Sequence, residues 1–467
     1  MKNFLGVTCS LLSVMLLATA CQPMVTPPEK YTICFYNDKE IIQTYELEKG
    51  ESLSETPTAP SKAKDGNYLY CFDKWVTSFD TREEPNFQNI SGDLDVYALY
   101  SRVKTFENEN VDLGYYAYVE KSFDQTTQTI LLPDLQGNIT EILTEQNLPL
   151  SGYTQKGECL EVNENFVGSV VGDAPYGDFS LFVKTQGQNV EFFYEIKLAV
   201  VTMIINDAED LEKMQTVATV GAETDAGDSY AALPLKADGY YILNNNIDYN
   251  GEDFGLTRGT GGSGFIGVFD GNGYTIRNIA VKYESAGLFG QVGETGVVKN
   301  ISFIGLTNVT NKANCSYVRR VFITFVCRGT LENVYVEGLR GRIYGLAPFS
   351  GVIGQYQKGA IVKNLVAYIT EDSDKNHQDY IGTAIGTMMG NAKVGDVQNI
   401  ISISEHYDAI GVNPDGDYGQ SVFDVESYRT MTAVKGAKNT YDSEIWNTDI
   451  WEISGALPVF RTSNLLY

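Results

Sequence analysis

Side chains suited to catalysis or metal binding are few in this chain and widely dispersed. Only two histidines occur, His377 and His406, and no cysteine pair has the CxxC spacing of a zinc or redox site. Seven cysteines are present: Cys9, Cys21, Cys34, Cys71, Cys159, Cys315 and Cys327. Cys34 and Cys71 share one segment and Cys315 and Cys327 another, so either pair could close a disulfide after export, leaving Cys159 over. Burial as small apolar side chains is the default reading. Carboxylates are abundant, but acid–base cleavage of a polysaccharide needs two of them facing one substrate, and few acidic pairs fall in strand-like segments. Asp270 stands in an Asp-Gly turn sequence. The stretches EDSDKNHQD (Glu371 to Asp379) and NPDGDYG (Asn413 to Gly419, with Asp415 and Asp417) could hold a cation but read better as solvated loops. The second lacks the spacing and closing Glu of an EF-hand. Nucleophile-elbow, phosphate-loop, HExxH and strand–GxGxxG–helix patterns are missing. No residue is therefore assigned to catalysis, cofactor or metal, and no cofactor is expected. Carboxylate sites carry no local signature, so an enzyme stays an alternative.

The elements that must position any site come next. A chain of 467 residues is too long for one core and should form about three domains. Apolar residues make up 43 %, and 30 Tyr, 22 Phe and 45 Gly favour strands joined by tight turns. Lys and Arg number 34 against 60 Asp and Glu, a formal charge of −26. Such a chain repels nucleic acid and anionic lipid, and nucleic acid is not an expected partner.

The first 20 residues have the parts of a secretory signal: Lys2, an apolar stretch from Phe4 to Leu17, then small residues. The stretch is too short for a spanning helix. Leu17-Ala18-Thr19-Ala20-Cys21 resembles the lipobox of bacterial lipoproteins. That resemblance implies lipidation of Cys21, removal of residues 1–20, and a membrane partner through the lipid. Residues 21–30, Pro-rich and polar, suit a tether.

Residues 31–103 open on YTICFYNDKEIIQTYELEKGESL, a hairpin pattern with NDKE as its turn. The Tyr-Thr-x-x-Phe-Tyr start, KGESL, Pro57, Pro60, Phe72-x-x-Trp75 and DLDVYALY resemble the Listeria–Bacteroides repeat, the B-repeat of internalin B. The resemblance implies a small β-grasp-like module of bacterial surface proteins. Trp75 could be a sugar platform, but core is the better reading. Residues 105–201 carry five strand-like runs, GYYAYVE, QTILLPD, ECLEVNENFVGSVV, DFSLFVKT and VEFFYEIKLAV. Their spacing favours an immunoglobulin-like sandwich.

Residues 202–467 begin with one short helix over INDAEDLEKMQTV, Asp-capped. Five segments then align, centred on Asn278, Asn300, Asn333, Asn364 and Asn399. Apolar residues stand two before each Asn (Ile276, Val298, Leu331, Val362, Val397) and one after (Ile279, Ile301, Val334, Leu365, Ile400). Three after stand Val281, Phe303, Val336, Ala367 and Ser402. Inward positions of a continuous strand share parity, and here parity flips at the Asn. The chain must bend there, and Asn tolerates the left-handed conformation a bend needs. Stacked repeats would place these amides in register to bond one another. The pattern predicts a parallel β-helix, each coil burying its apolar face on the next. AGLFGQVG, SGVIGQYQKG and IGTAIGTMMG resemble the GLUG motif of right-handed β-helix repeats in bacterial surface proteins.

The fold expected is thus all-β: a β-grasp-like module, an immunoglobulin-like sandwich and a right-handed parallel β-helix. The function expected is that of a lipid-anchored outer-membrane or cell-surface protein that binds a glycan or protein through the extended β-helix flank. A polysaccharide lyase or hydrolase on the β-helix and a structural spacer are the alternatives.

Overall fold

A computed structural model describes residues 29–79, 82–218, 238–251, 264–281, 288–308, 320–340, 350–371, 382–389, 396–411, 425–428, 441–448, 450–455 and 457–460. Cys21, Cys315, His377 and the loops with Asp415 and Asp417 lie outside the described residues, as do residues 372–379. The chain is all-β, with 27 strands and two helices among the described residues.

The first unit contains β1 (Lys30–Asn37), β2 (Glu40–Glu48), β3 (Tyr68–Val76) and β4 (Leu94–Phe106). β1 pairs antiparallel with β2 and parallel with β4, and β3 pairs antiparallel with β4. Trp75 is core: it is buried, with ring centroids 4.9 Å from Phe35 and 5.2 Å from Phe72. Cys34 and Cys71 are free thiols. β4 lies between their strands, and their β4 partners, Asp95 and Ser101, stand six residues apart. That separation exceeds the reach of a disulfide.

β4 does not stop at the first unit. Its last residues, Thr105 and Phe106, pair with Tyr115 and Gly114 of β5 (Leu113–Glu120), so one eight-stranded sheet runs through both units. Phe106 lies over Gly114, where a Cβ would come within 2.4 Å of its ring. The second unit continues with β6 (Gln128–Leu131), β7 (Asn138–Thr144), β8 (Tyr153–Lys156), β9 (Cys159–Val162), β10 (Gly177–Gln186) and β11 (Glu191–Val201). The sheet β5-β11-β10-β7 faces the sheet β6-β9-β8 across one apolar core. A four-stranded sheet and a three-stranded sheet thus form a β-sandwich. One segment departs from the strand reading. After β9, Glu164–Val171 form helix α1, because Asn163 caps it by accepting from Phe166 N at 3.2 Å. Phe166, Val167, Val170 and Val171 then face the core with helical spacing.

The third unit starts with β12 (Met203–Ile205) and helix α2 (Ala208–Ala218), capped by Asp207, whose Oδ1 accepts from Asp210 N at 2.9 Å. β13 (Tyr240–Leu243), β14 (Ile247–Asp248), β15 (Val268–Arg277), β16 (Ala280–Val281) and β17 (Phe289–Val292) follow. Next come β18 (Val297–Asn308), β19 (Arg320–Cys327), β20 (Thr330–Arg340), β21 (Ser350–Gln357), β22 (Ile361–Glu371), β23 (Ile385–Met389), β24 (Val397–Ile403) and β25 (Val425–Tyr428). They stack as two parallel sheets, one running β12-β13-β15-β18-β20-β22-β24-β25 and the other β17-β19-β21-β23. The four coils from β15 to β23 each contribute one strand to each sheet. The apolar positions before and after each Asn share a single interior core, as the parity argument requires. Close stacking explains one column of glycines. A Cβ on Gly267, Gly296 or Gly329 would lie 2.0–2.2 Å from a carbonyl oxygen of the preceding coil.

All five repeat asparagines are left-handed, with φ of 52 to 57°. Asn399, Asn364 and Asn333 each donate their amide to the preceding Asn at 2.9, 2.9 and 3.0 Å. Asn278 does not belong to this column. Asn300 donates instead to Asp270 Oδ1 at 3.0 Å, and Ile276 pairs with Phe303, not Val298. The turn Asp270-Gly271-Asn272-Gly273 supplies the first corner. Asn278 bends the next one, where its N–H bonds Ile304 O beside Gly305. The unequal first interval of 22 residues between asparagines becomes 30 when Asp270 is taken as the first rung.

A second correction concerns the flank. The outward residues Tyr335, Val366 and Ile401 are buried against Tyr441, Trp446, Ile450, Trp451, Leu457 and Phe460. Trp451 Nε1 donates to Asn333 Oδ1 at 3.1 Å, and Ile445 O accepts from Asn364 at 3.2 Å. β26 (Trp451–Glu452) and β27 (Val459–Phe460) close this cover as a small antiparallel pair. That part of the extended flank is therefore not open to a ligand. The exposed large aromatics among the described residues, Tyr116, Phe182 and Phe193, all lie on the sandwich.

Candidate functional site

The three units meet around Arg102 of β4. Its guanidinium lies 3.8 Å from the Tyr274 ring centroid and 4.9 Å from that of Tyr68, and Nη2 donates to Asn272 O at 2.6 Å. Tyr118 of the sandwich donates its hydroxyl to Asn244 Oδ1. These contacts tie the first unit and the sandwich to the opening turns of the parallel stack, and they leave a cavity on either side.

The larger cavity, about 700 Å³, is a cleft between the first unit and the stack. One wall is aromatic: Tyr36 and Tyr97 stack with centroids 5.0 Å apart and an interplanar angle of 23°, and Phe79 lies 5.3 Å from Tyr97. The opposite wall is amide-rich, because Asn244, Asn245 and Asn246 follow β13 in one run. Asn246 Oδ1 accepts from Thr275 N at 2.9 Å; its amide nitrogen makes no hydrogen bond among the described residues. The lining also holds the pair Arg277 Nε–Asp248 Oδ2 at 3.0 Å. Asp248 also accepts from Asn278 at 2.9 Å and from Asn250 N at 2.8 Å.

Burial alone would raise the Asp248 carboxyl, but the Asn250 N–H, the Asn278 amide and Arg277 outweigh it and hold the pKa below the usual carboxylate value. Asp248 is thus an ionised acceptor, not a proton donor near neutral pH. A depressed folded pKa stabilises above the unfolded value, about 3.9, and that stability is lost as pH falls through the lower folded value. Asp248→Asn is expected to flatten the acid limb of a melting temperature versus pH profile below about pH 4. An unchanged acid limb would show that the carboxylate contributes nothing.

The smaller cavity, about 400 Å³, lies between the sandwich sheet and the stack. Lys299 Nζ stands 3.3 Å from Asp270 Oδ2. Across from them, burial raises the Asp178 carboxyl, with Lys299 opposing and Asp270 adding to the shift. Asp270 is already committed, since it also accepts from Asn272 N and Asn300 Nδ2. It is the terminal rung of the amide column as well as a turn residue.

The remaining candidates do not converge. His406 is on the surface, 4.0 Å from Glu405. Cys327 is buried, its thiol pushed up to about 12 by burial. Among the described residues no three His, Cys, Asp or Glu side chains group to hold a metal. No described helix is long and apolar enough to cross a membrane. Comparison with family models, curated proteins and solved structures returns no match.

The cleft was hidden from the sequence because its walls, Tyr36 to Tyr97 on one side and Asn244 to Asn246 on the other, come from distant parts of the chain. The nearest local signal was the Asn244-Asn245-Asn246 run, which resembles any polar turn.

Proposed function

We propose that the chain is an exported surface lipoprotein, anchored through Cys21, that binds a glycan in the cleft between its first unit and its parallel stack. The lipobox-like leader supports the anchor. The resemblances to surface-protein repeats support the setting, in which the stack is a right-handed β-helix. The observation that carries the glycan reading is the pairing of walls: stacked Tyr36 and Tyr97 face a run of asparagine amides and the Asp248–Arg277 pair. Sugar rings present apolar C–H faces to aromatic planes and hydroxyl rims to amides and charged pairs.

A second reading, cleavage of a polysaccharide, is favoured by Asp178 and Asp270 sharing Lys299 in the smaller cavity. One experiment separates the two. The purified full-length chain is applied to a glycan array and incubated with the polysaccharides it binds. Retention without new reducing ends or unsaturated products is expected; such products would replace the binding reading with the enzymatic one. In cells, Cys21→Ala is expected to move the protein from the membrane to the soluble fraction. Unchanged membrane association would overturn the anchor.

A further inference from the structure

Arg82 stands apart from the other cations of the cleft. Arg277 is paired with Asp248, Arg102 is stacked and donates to Asn272 O, and Lys39 is exposed at the mouth. Arg82 lines the same cleft, yet its Nε is enclosed without a hydrogen-bond partner. It forms no ion pair among the described residues. Burial lowers the guanidinium pKa, and the nearby carboxylates, Asp73 and Asp207, only partly offset this. A guanidinium Nε–H enclosed without an acceptor is costly.

The backbone adds an independent departure. Arg82 has a φ of +51°, a conformation that a long side chain disfavours. The surrounding turn imposes it: Arg82 N donates to Ser78 O at 3.0 Å, and Thr77 N donates to Glu83 O at 2.9 Å. Thr77 Oγ1 reinforces the closure at 3.3 Å to the same carbonyl. Strain and an unmet hydrogen-bond donor thus coincide at one cationic side chain in the wall of the cleft. Both are relieved or made useful by an anion that brings its own acceptors, and a guanidinium fork suits a planar or trigonal oxyanion.

We infer that Arg82 receives the anionic substituent of an acidic glycan, a uronate carboxylate or a sulfate ester, and so sets the specificity of the cleft. The inference rests on the glycan reading above. The stacked tyrosines hold the ring, and Arg82 selects for its charge.

The test is a glycan array pairing uronate-bearing and sulfated glycans with their neutral counterparts, run on the full chain, Arg82→Gln and Tyr97→Ala. The wild type is expected to prefer the acidic members by at least about tenfold, the discrimination of one charged hydrogen bond. Arg82→Gln should bring acidic members down to the neutral level, and Tyr97→Ala should lose both. The favoured pairs tell carboxylate from sulfate. Equal binding of neutral and acidic members by the wild type, or a preference that survives Arg82→Gln, overturns the inference and leaves the glycan reading standing. No binding to any member overturns both. Thermal melts supply a second readout. Sodium sulfate should raise the melting temperature of the wild type more than that of Arg82→Gln, and the variant without sulfate should melt no lower than the wild type. A variant that melts several degrees lower would mark Arg82 as structural and overturn the inference.

Discussion

Arg102→Met is expected to uncouple the first unit from the parallel stack and to cost about 3–4 kcal/mol. Two lost terms make up that figure. A guanidinium between two tyrosine rings in a largely desolvated setting contributes about 2 kcal/mol. Its charged hydrogen bond to Asn272 O contributes about 1.5–3 kcal/mol, and removing it leaves a carbonyl unmatched. Methionine recovers part of the contact area, which keeps the sum near the lower end. The partners lie on both sides of the junction, Tyr68 in the first unit and Tyr274 and Asn272 in the stack. Calorimetry should therefore show an earlier transition for the first unit, and limited proteolysis should cut between units. Arg102→Lys should recover less than half of the loss, because an ammonium lacks the planar stack. A melting profile for Arg102→Met that matches the wild type would show that the clamp holds nothing together.

Asn333→Ala should be similarly damaging, at about 3–5 kcal/mol. Asn333 is buried, accepts from Asn364 at 2.9 Å and from Trp451 Nε1 at 3.1 Å, and donates to Asn300 at 3.0 Å. Alanine strands all three partners and must also occupy a φ of +53°. Glycine strands the same partners but accepts that backbone freely. Asn333→Gly should therefore be less harmful than Asn333→Ala by about 1 kcal/mol, measured as the difference in denaturant midpoints. Equal midpoints would mean that the corner is not strained. Asn333→Asp keeps the acceptors but loses the donor, and places a carboxylate oxygen against Asn300 Oδ1; it should fall between the wild type and alanine.

The parallel core was legible in the sequence because parity is a physical property of strands. The positions flanking Asn300, Asn333, Asn364 and Asn399 had to bend or expose Val298, Leu331 and their equivalents. Asn278 was misaligned because residue type was matched instead of role. What the column needs at its first rung is an acceptor beside a left-handed turn, and Asp270 beside Asn272 supplies both. The strand reading of ECLEVNENFVGSVV holds through Val162 and fails beyond it for a local reason: apolar periodicity alone does not separate a short helix from a strand, and the Asn163 cap decided it. The cover over Tyr335 and Val366 was also invisible, since outward apolar residues reveal that something covers them but not what. Arg82 gave no signal at all, because neither its enclosure nor its φ is a property of neighbouring residue types.

The cover also acts as a gauge. Trp451 reaches the Asn333 rung and Ile445 reaches the Asn364 rung, one coil apart. The amides all donate toward Asp270, so the column has a fixed starting post as well. A column held at its first rung by a carboxylate and measured along its side by two spaced anchors cannot gain or lose a turn without slipping an anchor. Repeat number in this chain is thereby written into the spacing of the segment that carries Ile445 and Trp451, and duplication of a coil would require a matching change about a hundred residues downstream.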